Sequence, residues 1–313
     1  MRRVYKKAAA RPAEGGWGVA LDGRPMRTPA RHELVVPSKA LAEAIAEEWD
    51  AQQDEVRPAT MPLTRLAATA IDRTGAQRDL IVAEAAKYAG TDLVCYRAEH
   101  PPALIARQHA EWQPLIDWAM QRYDAALAVT SGVVPRPQSP AVLNAFAAAV
   151  AAQDNFMLTA LHTMTAACGS LVIALALLEG RLDAEAAFAV SQLDETFQIE
   201  AWGEDAEAAA RRRALAEDIS AASRFVHLLG EASTKGSDVR RAVTSGAAAL
   251  TMFVLPLIVA DAQQPAPPEC AQNAPVCGLK DGSRQTYWNA CLAARDGAQL
   301  LYAGGCRISR SYG

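Results

Sequence analysis

"SKALAEAIAEEWDAQQDEVRPATMPLT", residues 38–64, is the stretch on which the fold turns. Ser38, just after Pro37, is suited to cap a helix, because its hydroxyl can accept an otherwise unpaired N–H of the first turn. Leu41, Ile45, Trp49 and Gln52 then recur at helical spacing on one face, with Glu43, Glu47 and Asp50 opposite. An amphipathic helix packing by Trp49 follows from that pattern. Pro58 and Pro62 exclude helix at the residues before them, so the helix runs into an extended corner that fixes how the next element leaves. The stretch holds neither a nucleophile nor a ligand set. Its contribution is shape.

Upstream, residues 1–36 alternate as strands do, in "RRVYKKA", "WGVALDGRPMRT" and "HELVV", with a hairpin signal at Asp22-Gly23. The glycines of "EGGWGVA" belong to turn geometry at the same hairpin region. Downstream of about residue 76 the pattern is helical throughout. "RDLIVAEAAKYAG" ends at Gly90, a natural residue for the end of a helix. "PPALIARQHAEWQPLIDWAMQRYD" starts on prolines and is expected to kink or restart at Pro114. Ser139-Pro140 opens "SPAVLNAFAAAVAAQ" as cap and first-turn residue. "FMLTALHTMTAACGSLVIALALLEG" reads as one long central bundle helix, its His162, Thr163, Thr165 and Ser170 arguing against a membrane span. "DAEAAFAVSQLDETFQIEAWG" and "EDAEAAARRRALAEDISAASRFVHLLG" complete the set. The expected body is an α+β N-terminal domain over residues 1–75, followed by a mainly helical, orthogonal bundle-like domain over 76–232.

Little in this body suggests catalysis. There is no G-x-x-x-x-G-K and no strand-linked G-x-G-x-x-G. The five histidines never fall at metal-ligand spacing with one another, so neither a metal nor a cofactor is expected. His162 and Cys168 read as a core histidine and an inert thiol. Ser170 lacks the far glycine of a nucleophile elbow. Glu204 and Asp205, beside Trp202-Gly203, form the best pair for acid–base work, but carboxylates in a first helical turn are also favoured by the helix dipole. A hydrolase using that pair is the most distant of the readings, and a non-enzyme is expected.

The chain has 313 residues, 51% of them apolar, and a net charge of −4. The charge is uneven: residues 1–231 are acidic on balance and the remainder basic. An acidic body argues against nucleic acid as a partner, since phosphate neutralisation needs clustered Lys and Arg. Its one basic run, Arg211-Arg212-Arg213, reads as a solvated helix face. Cysteines divide the chain further. The body has only Cys95 and Cys168, whereas the tail carries Cys270, Cys277, Cys291 and Cys306, a density that reads as a disulfide framework. The body suits a reducing bacterial cytoplasm, and the tail an oxidising compartment.

Between them, Arg240-Arg241 precede a charge-free run, residues 242–260, which would span about 28 Å as a helix. The run ends at Ala260-Asp261-Ala262, an A-x-A pattern of the kind a signal peptidase reads. The linker 233–264 therefore contains a signal-peptide-like or transmembrane segment, with the basic end kept inside and residues 265–313 periplasmic or secreted. Three readings fit: an uncleaved anchor, the export signal of a formerly separate secreted protein joined to the body, and a buried core helix.

Three motifs along the body agree on one family. "EEWDAQQDEVRPATMPLTRLAATAIDR", "TDLVCYRAEHPPALIARQHAEWQPLIDWA" and "LDETFQIEAWGEDAEA" resemble, in order, the signatures of the ATP-twelve family of ATP synthase assembly chaperones, over residues 3–231. The resemblance implies a non-enzymatic protein that binds the alpha subunit of the catalytic head before it meets beta. It also implies that the corner around Met61-Pro62-Leu63-Thr64 orients the domains or their partner surface. Glu195, Trp202, Glu204 and Asp205, in the acidic Trp-Gly segment, are the residues expected at the partner contact.

The tail "CAQNAPVCGLKDGSRQTYWNACLAARDGAQLLYAGGC" is similar to Kazal-type modules in its P-V-C-G, D-G and T-Y-x-N-x-C order. That similarity implies pairing of Cys270 with Cys291 and of Cys277 with Cys306, and an inhibitory reactive site near Gln272. The alternative function is thus a membrane-anchored or secreted inhibitor of a serine protease.

Overall fold

The computed structural model describes residues 2–132, 134–241, 276–280, 283–287, 293–294 and 297–303, which fall into two compact units divided after Gly246. The first unit opens with strands β1 (Ala8–Ala13) and β2 (Gly16–Leu21), an antiparallel pair. Gly16, the first residue of β2, passes so close to Val36 that a Cβ there would lie 2.4 Å from its carbonyl oxygen. Asp22 and Gly23 take φ of 48° and 80°, the left-handed pair of a type I′ turn, and return the chain to β3 (Arg24–Pro25). β4 (Val35–Val36) also pairs with β2, at its Trp17 end. The strand expected in residues 2–7 is displaced: those residues make only a bridge from Arg2 to Glu55, and pairing begins at Ala8.

Helix α1 (Lys39–Asp50) starts where its cap was read, with Ser38 Oγ accepting from Leu41 N at 3.1 Å. Its far end shows how the corner is held. Glu48, near the end of the helix, sends its carboxylate forward onto the start of α2 (Pro62–Thr69), accepting from Leu63 N and Thr64 N at 2.8 Å each and from Thr64 Oγ1 at 2.7 Å. Gln52, buried, accepts from Arg57 N at 2.7 Å and donates to Thr60 Oγ1 at 3.1 Å. Tyr5 donates to the Trp49 carbonyl at 2.7 Å. These polar side chains supply partners to backbone that the two prolines have taken out of regular structure. Glu48→Ala removes the cap of α2 and is expected to cost about 1–2 kcal/mol in urea denaturation. An unchanged midpoint would refute the assignment.

After a single π-type turn at Ala70–Thr74 come α3 (Arg78–Ala86) and a 3₁₀ turn, Lys87–Gly90, that carries the helical run on to Gly90. A short parallel pair, β5 (Tyr96–Arg97) with β6 (Thr130–Ser131), brackets α4 (Pro102–Tyr123). Of the kink or restart expected at Pro114, the restart does not occur: α4 is one helix with Pro114 inside it. Trp112, Leu115, Ile116 and Ala119 are buried on both sides of the proline, so packing holds the turns that the missing hydrogen bond would release.

Helix α5 (Pro140–Ala151) begins at its Ser139 cap. The expected single long helix after it is two: α6 (Asn155–Cys168) and α7 (Leu171–Leu178). Gly169 takes φ of 64° and ends the first, and Ser170 caps the second by accepting from Ile173 N at 3.0 Å. Leu171 to Leu177 are all buried, which makes α7 the centre of the unit. Its N-terminus rests on Asp92, a fully buried carboxylate 3.1 Å from Val172 N, 2.8 Å from Leu171 N and 2.5 Å from Ser170 Oγ.

Burial pushes the Asp92 carboxyl up to about 6, against the opposing pull of the Ser170 hydroxyl and the backbone donors. A raised folded value means that this group's contribution to stability is complete below the ordinary carboxylate range near pH 4. It is lost as the pH rises through about 6. Subtracting the pH–stability curve of Asp92→Asn from that of the unchanged chain is expected to leave a fall between pH 4 and 6. A flat difference would contradict it.

The segment expected as one further helix is also two, α8 (Ala184–Ser191) and α9 (Leu193–Trp202), and α10 (Ala206–Arg241) follows. α10 packs along α6 and α8 and returns to α1 and α2. Ser38 Oγ donates to the Leu228 carbonyl at 2.6 Å, and Arg65 and Asp218 lie 3.7 Å apart. One continuous apolar core runs from Ala8 to Leu229. His162 is not a core residue as expected: it is half-buried and 3.3 Å from the Glu84 carboxylate.

The second unit contains β7 (Val276–Lys280), paired antiparallel on one side with β8 (Ser283–Tyr287) and on the other with β9 (Gln299–Ala303). Cys277 lies in β7, opposite Thr286 and Tyr302. Cys270, Cys291, Cys306 and Gln272 lie outside the described residues, as does the apolar run 242–260. Among the described residues no helix is long and apolar enough to cross a membrane.

Candidate functional site

The acidic Trp-Gly segment forms the junction between α9 and α10. Trp202 is the last residue of α9, and Gly203, at φ of 83°, turns the chain out of it. Asp205 then caps α10, accepting from Ala208 N at 2.8 Å, as its position before a helix suggests. The junction is braced by charge. Glu195 meets Arg211 at 3.1 Å, and Glu204 meets Arg212 at 3.2 Å. Arg107, from α4, donates to both Glu200 oxygens at 2.8 and 2.9 Å. Arg212 departs from the expected solvated face. Its side chain is only 16% exposed and lies over the Phe188 ring at 5.5 Å.

The four residues singled out in the sequence thus come together at the α9–α10 junction, but in different roles. Glu195, Glu204 and Asp205 are each engaged by a group of the same chain. Trp202 is 81% exposed, the large aromatic most open to solvent among the described residues. The exposed indole thus stands beside carboxylates paired with Arg211 and Arg212.

Beside the junction lies a polar layer that periodicity alone does not reveal. Asp194 accepts from Gln108 Nε2 at 2.8 Å, Gln108 Oε1 accepts from Ala98 N at 2.8 Å, and Arg97 donates to the Gln108 carbonyl at 2.6 Å. Burial raises the Asp194 carboxyl above its ordinary range, with Gln108 and Arg97 pulling the other way. The layer ties β5 and α4 to the start of α9. Its residues sit inside the second and third motifs, "TDLVCYRAEHPPALIARQHAEW" and "LDETFQIEAW", and those motifs were the signal that could have found them.

Glu204 and Asp205 serve an ion pair and a cap. Burial pushes the Cys95 and Cys168 thiols up to about 12, far from thiolate reactivity. Among the described residues no group of three or more His, Cys, Asp or Glu is placed to hold a metal.

The architecture has close counterparts. A crystal structure of Atp12 from Paracoccus denitrificans is 46% identical and superposes with a TM-score of 0.70, covering 73% of this chain and 98% of that one. The chain belongs to the ATP12 chaperone family. The family described as ATP12 chaperone protein matches residues 2–120. An aspartate-to-lysine mutant of the Paracoccus denitrificans Atp12p is also 46% identical, with a TM-score of 0.70 over 73% of this chain and 97% of that one. The mitochondrial protein atp12 of Schizosaccharomyces pombe is 26% identical over 214 residues, 64% of this chain and 74% of that protein. The mixed α/β beginning and helical continuation are thus an ATP12 architecture.

Proposed function

We propose that this ATP12-family chain acts without turnover, binding the unassembled alpha subunit of the ATP synthase catalytic head and shielding its interface until beta arrives. An orphaned subunit of an obligate complex exposes an apolar interface that invites aggregation. A carrier for it needs an exposed anchor on a surface stiff enough not to reorganise on contact. The observation that carries the reading is Trp202, open to solvent at the tip of α9. It stands beside Glu195 and Glu204, whose charges are already balanced by Arg211 and Arg212. On this reading Trp202 inserts into the client, and Glu195, Glu204 and Asp205 hold α9 and α10 in the geometry that presents it.

The test is a holding assay. The full chain, added to isolated alpha subunit, is expected to suppress its light scattering and co-elute with it. Scattering unchanged at stoichiometric excess would refute the proposal. Glu204→Ala, which frees Arg212, is expected to weaken capture severalfold while leaving the circular dichroism spectrum intact. Unchanged capture would remove Glu204 from the site.

A further inference from the structure

The corner that leads into α2 also forms a wall of an open groove. Met26, Leu34, Trp49, Val56, Met61 and Ala68 line it, and it encloses about 690 Å³, within the range of sites that hold ligands. Its floor is apolar and its rim is cationic. Arg27, Arg65 and Arg73 stand along it, all exposed. The single carboxylate of the lining, Asp72, is already engaged. Thr28 Oγ1 lies 2.6 Å from it, Ala30 N donates at 3.0 Å, and the His32 ring nitrogen is 2.8 Å away. Burial works against ionisation of Asp72, yet these partners together hold its carboxyl below the ordinary range. Its charge is therefore spent on the loop at Thr28–His32.

The rim arginines are only loosely held. Arg65 reaches Asp218 at 3.7 Å and Arg73 reaches Glu84 at 4.0 Å, each between side chains about half exposed. Exposed pairs at such distances contribute little, so these guanidinium groups can exchange partners at small cost. Arg27 donates to the Arg31 carbonyl at 2.8 Å, a neutral acceptor that leaves its charge unbalanced there. An apolar trough with exchangeable cations along its edge is complementary to a chain whose side chains are alternately apolar and acidic.

We propose that this groove is a second client contact, which takes an extended peptide segment carrying apolar side chains interleaved with carboxylates. The apolar residues would lie over Trp49 and Ala68, the partly exposed apolar residues of the lining, and the carboxylates would meet Arg27, Arg65 and Arg73. Three separate guanidinium groups spaced along an exposed rim favour a polypeptide bearing several carboxylates over a ligand with one. The segment's origin in a chaperone client rests on the function proposed above; the groove's preference does not.

The test uses the full chain and fluorescence anisotropy of a short fluorescein-labelled peptide alternating leucine and glutamate. Peptides alternating leucine with lysine, and serine with glutamate, serve as contrasts, and sodium decanoate serves as a competitor. The leucine–glutamate peptide is expected to bind at least tenfold more tightly than either contrast. Ala68→Trp, which fills the groove, and Arg27→Glu combined with Arg73→Glu, which reverses the rim, are each expected to weaken it at least tenfold, with melting curves unchanged. Trp202→Ala is expected to leave it unaltered. Binding that ignores both sets of substitutions, that is equal for the lysine peptide, or that decanoate displaces at lower concentration than unlabelled peptide does, would overturn the proposal. If the chain fails to hold alpha subunits while the peptide contrast survives, the chaperone reading falls and the groove stands. If holding is intact and the contrast is absent, the groove proposal alone falls.

Discussion

Asp92→Ala is expected to lower the unfolding free energy by about 4 kcal/mol, a loss at the upper end for any single substitution. The side chain is fully buried, and the Ser170 hydroxyl and the Leu171 and Val172 amides all point at it. Removing the carboxylate leaves those donors without an acceptor at the start of the most buried helix, where water does not replace it. Each orphaned donor costs about 1–3 kcal/mol, and a shared cavity makes the sum less than additive. Asp92→Asn keeps the volume and one acceptor but turns an amide NH₂ toward a donor, so about half the loss should remain. Chemical denaturation monitored by tryptophan fluorescence reads both. A loss under about 1 kcal/mol for the alanine variant would show that α7 does not depend on this cap.

Trp202→Ala should have the opposite profile. The residue is 81% exposed and the last of its helix, so truncation should move the melting temperature hardly at all. Capture of alpha subunit should fall about 30-fold or more, because a central aromatic anchor typically contributes about 2 kcal/mol or more to an interface. Trp202→Phe should recover part of the affinity, since the ring, rather than the indole N–H alone, supplies the buried area. Titration of alpha subunit followed by co-sedimentation measures both. Equal affinity for the alanine variant would move the contact away from the α9–α10 junction and leave the acidic braces as purely structural features.

How far the sequence could be read is best seen at particular residues. Ser38, Asp22-Gly23 and Ser139-Pro140 were legible, because a cap or a tight turn is decided within three or four residues of the one that makes it. The family was legible in three spaced motifs, and the Paracoccus denitrificans structure agrees with it. Whether α4 continues through Pro114 or restarts there was not: local chemistry allows either, and the burial of Trp112 and its neighbours keeps the helix whole. The break at Gly169-Ser170 was hidden for the contrary reason, since an apolar run reads as helix whether or not it is interrupted. At the candidate site the sequence singled out four residues but could not divide their labour. Free carboxylates and paired ones look alike until Arg211 and Arg212 are seen across from them.

By itself, then, the sequence determined the family, the caps and turns, and the amphipathic faces, all of which depend on neighbours along the chain. The tertiary structure alone decided that Asp92 holds a helix 78 residues away, that Glu48 reaches past two prolines to start α2, and that an apolar groove with an arginine rim forms beside it. The physical reason is the same in each case. A buried polar group or a concave surface is defined by what faces it across the core, and that pairing is fixed only when distant segments have packed.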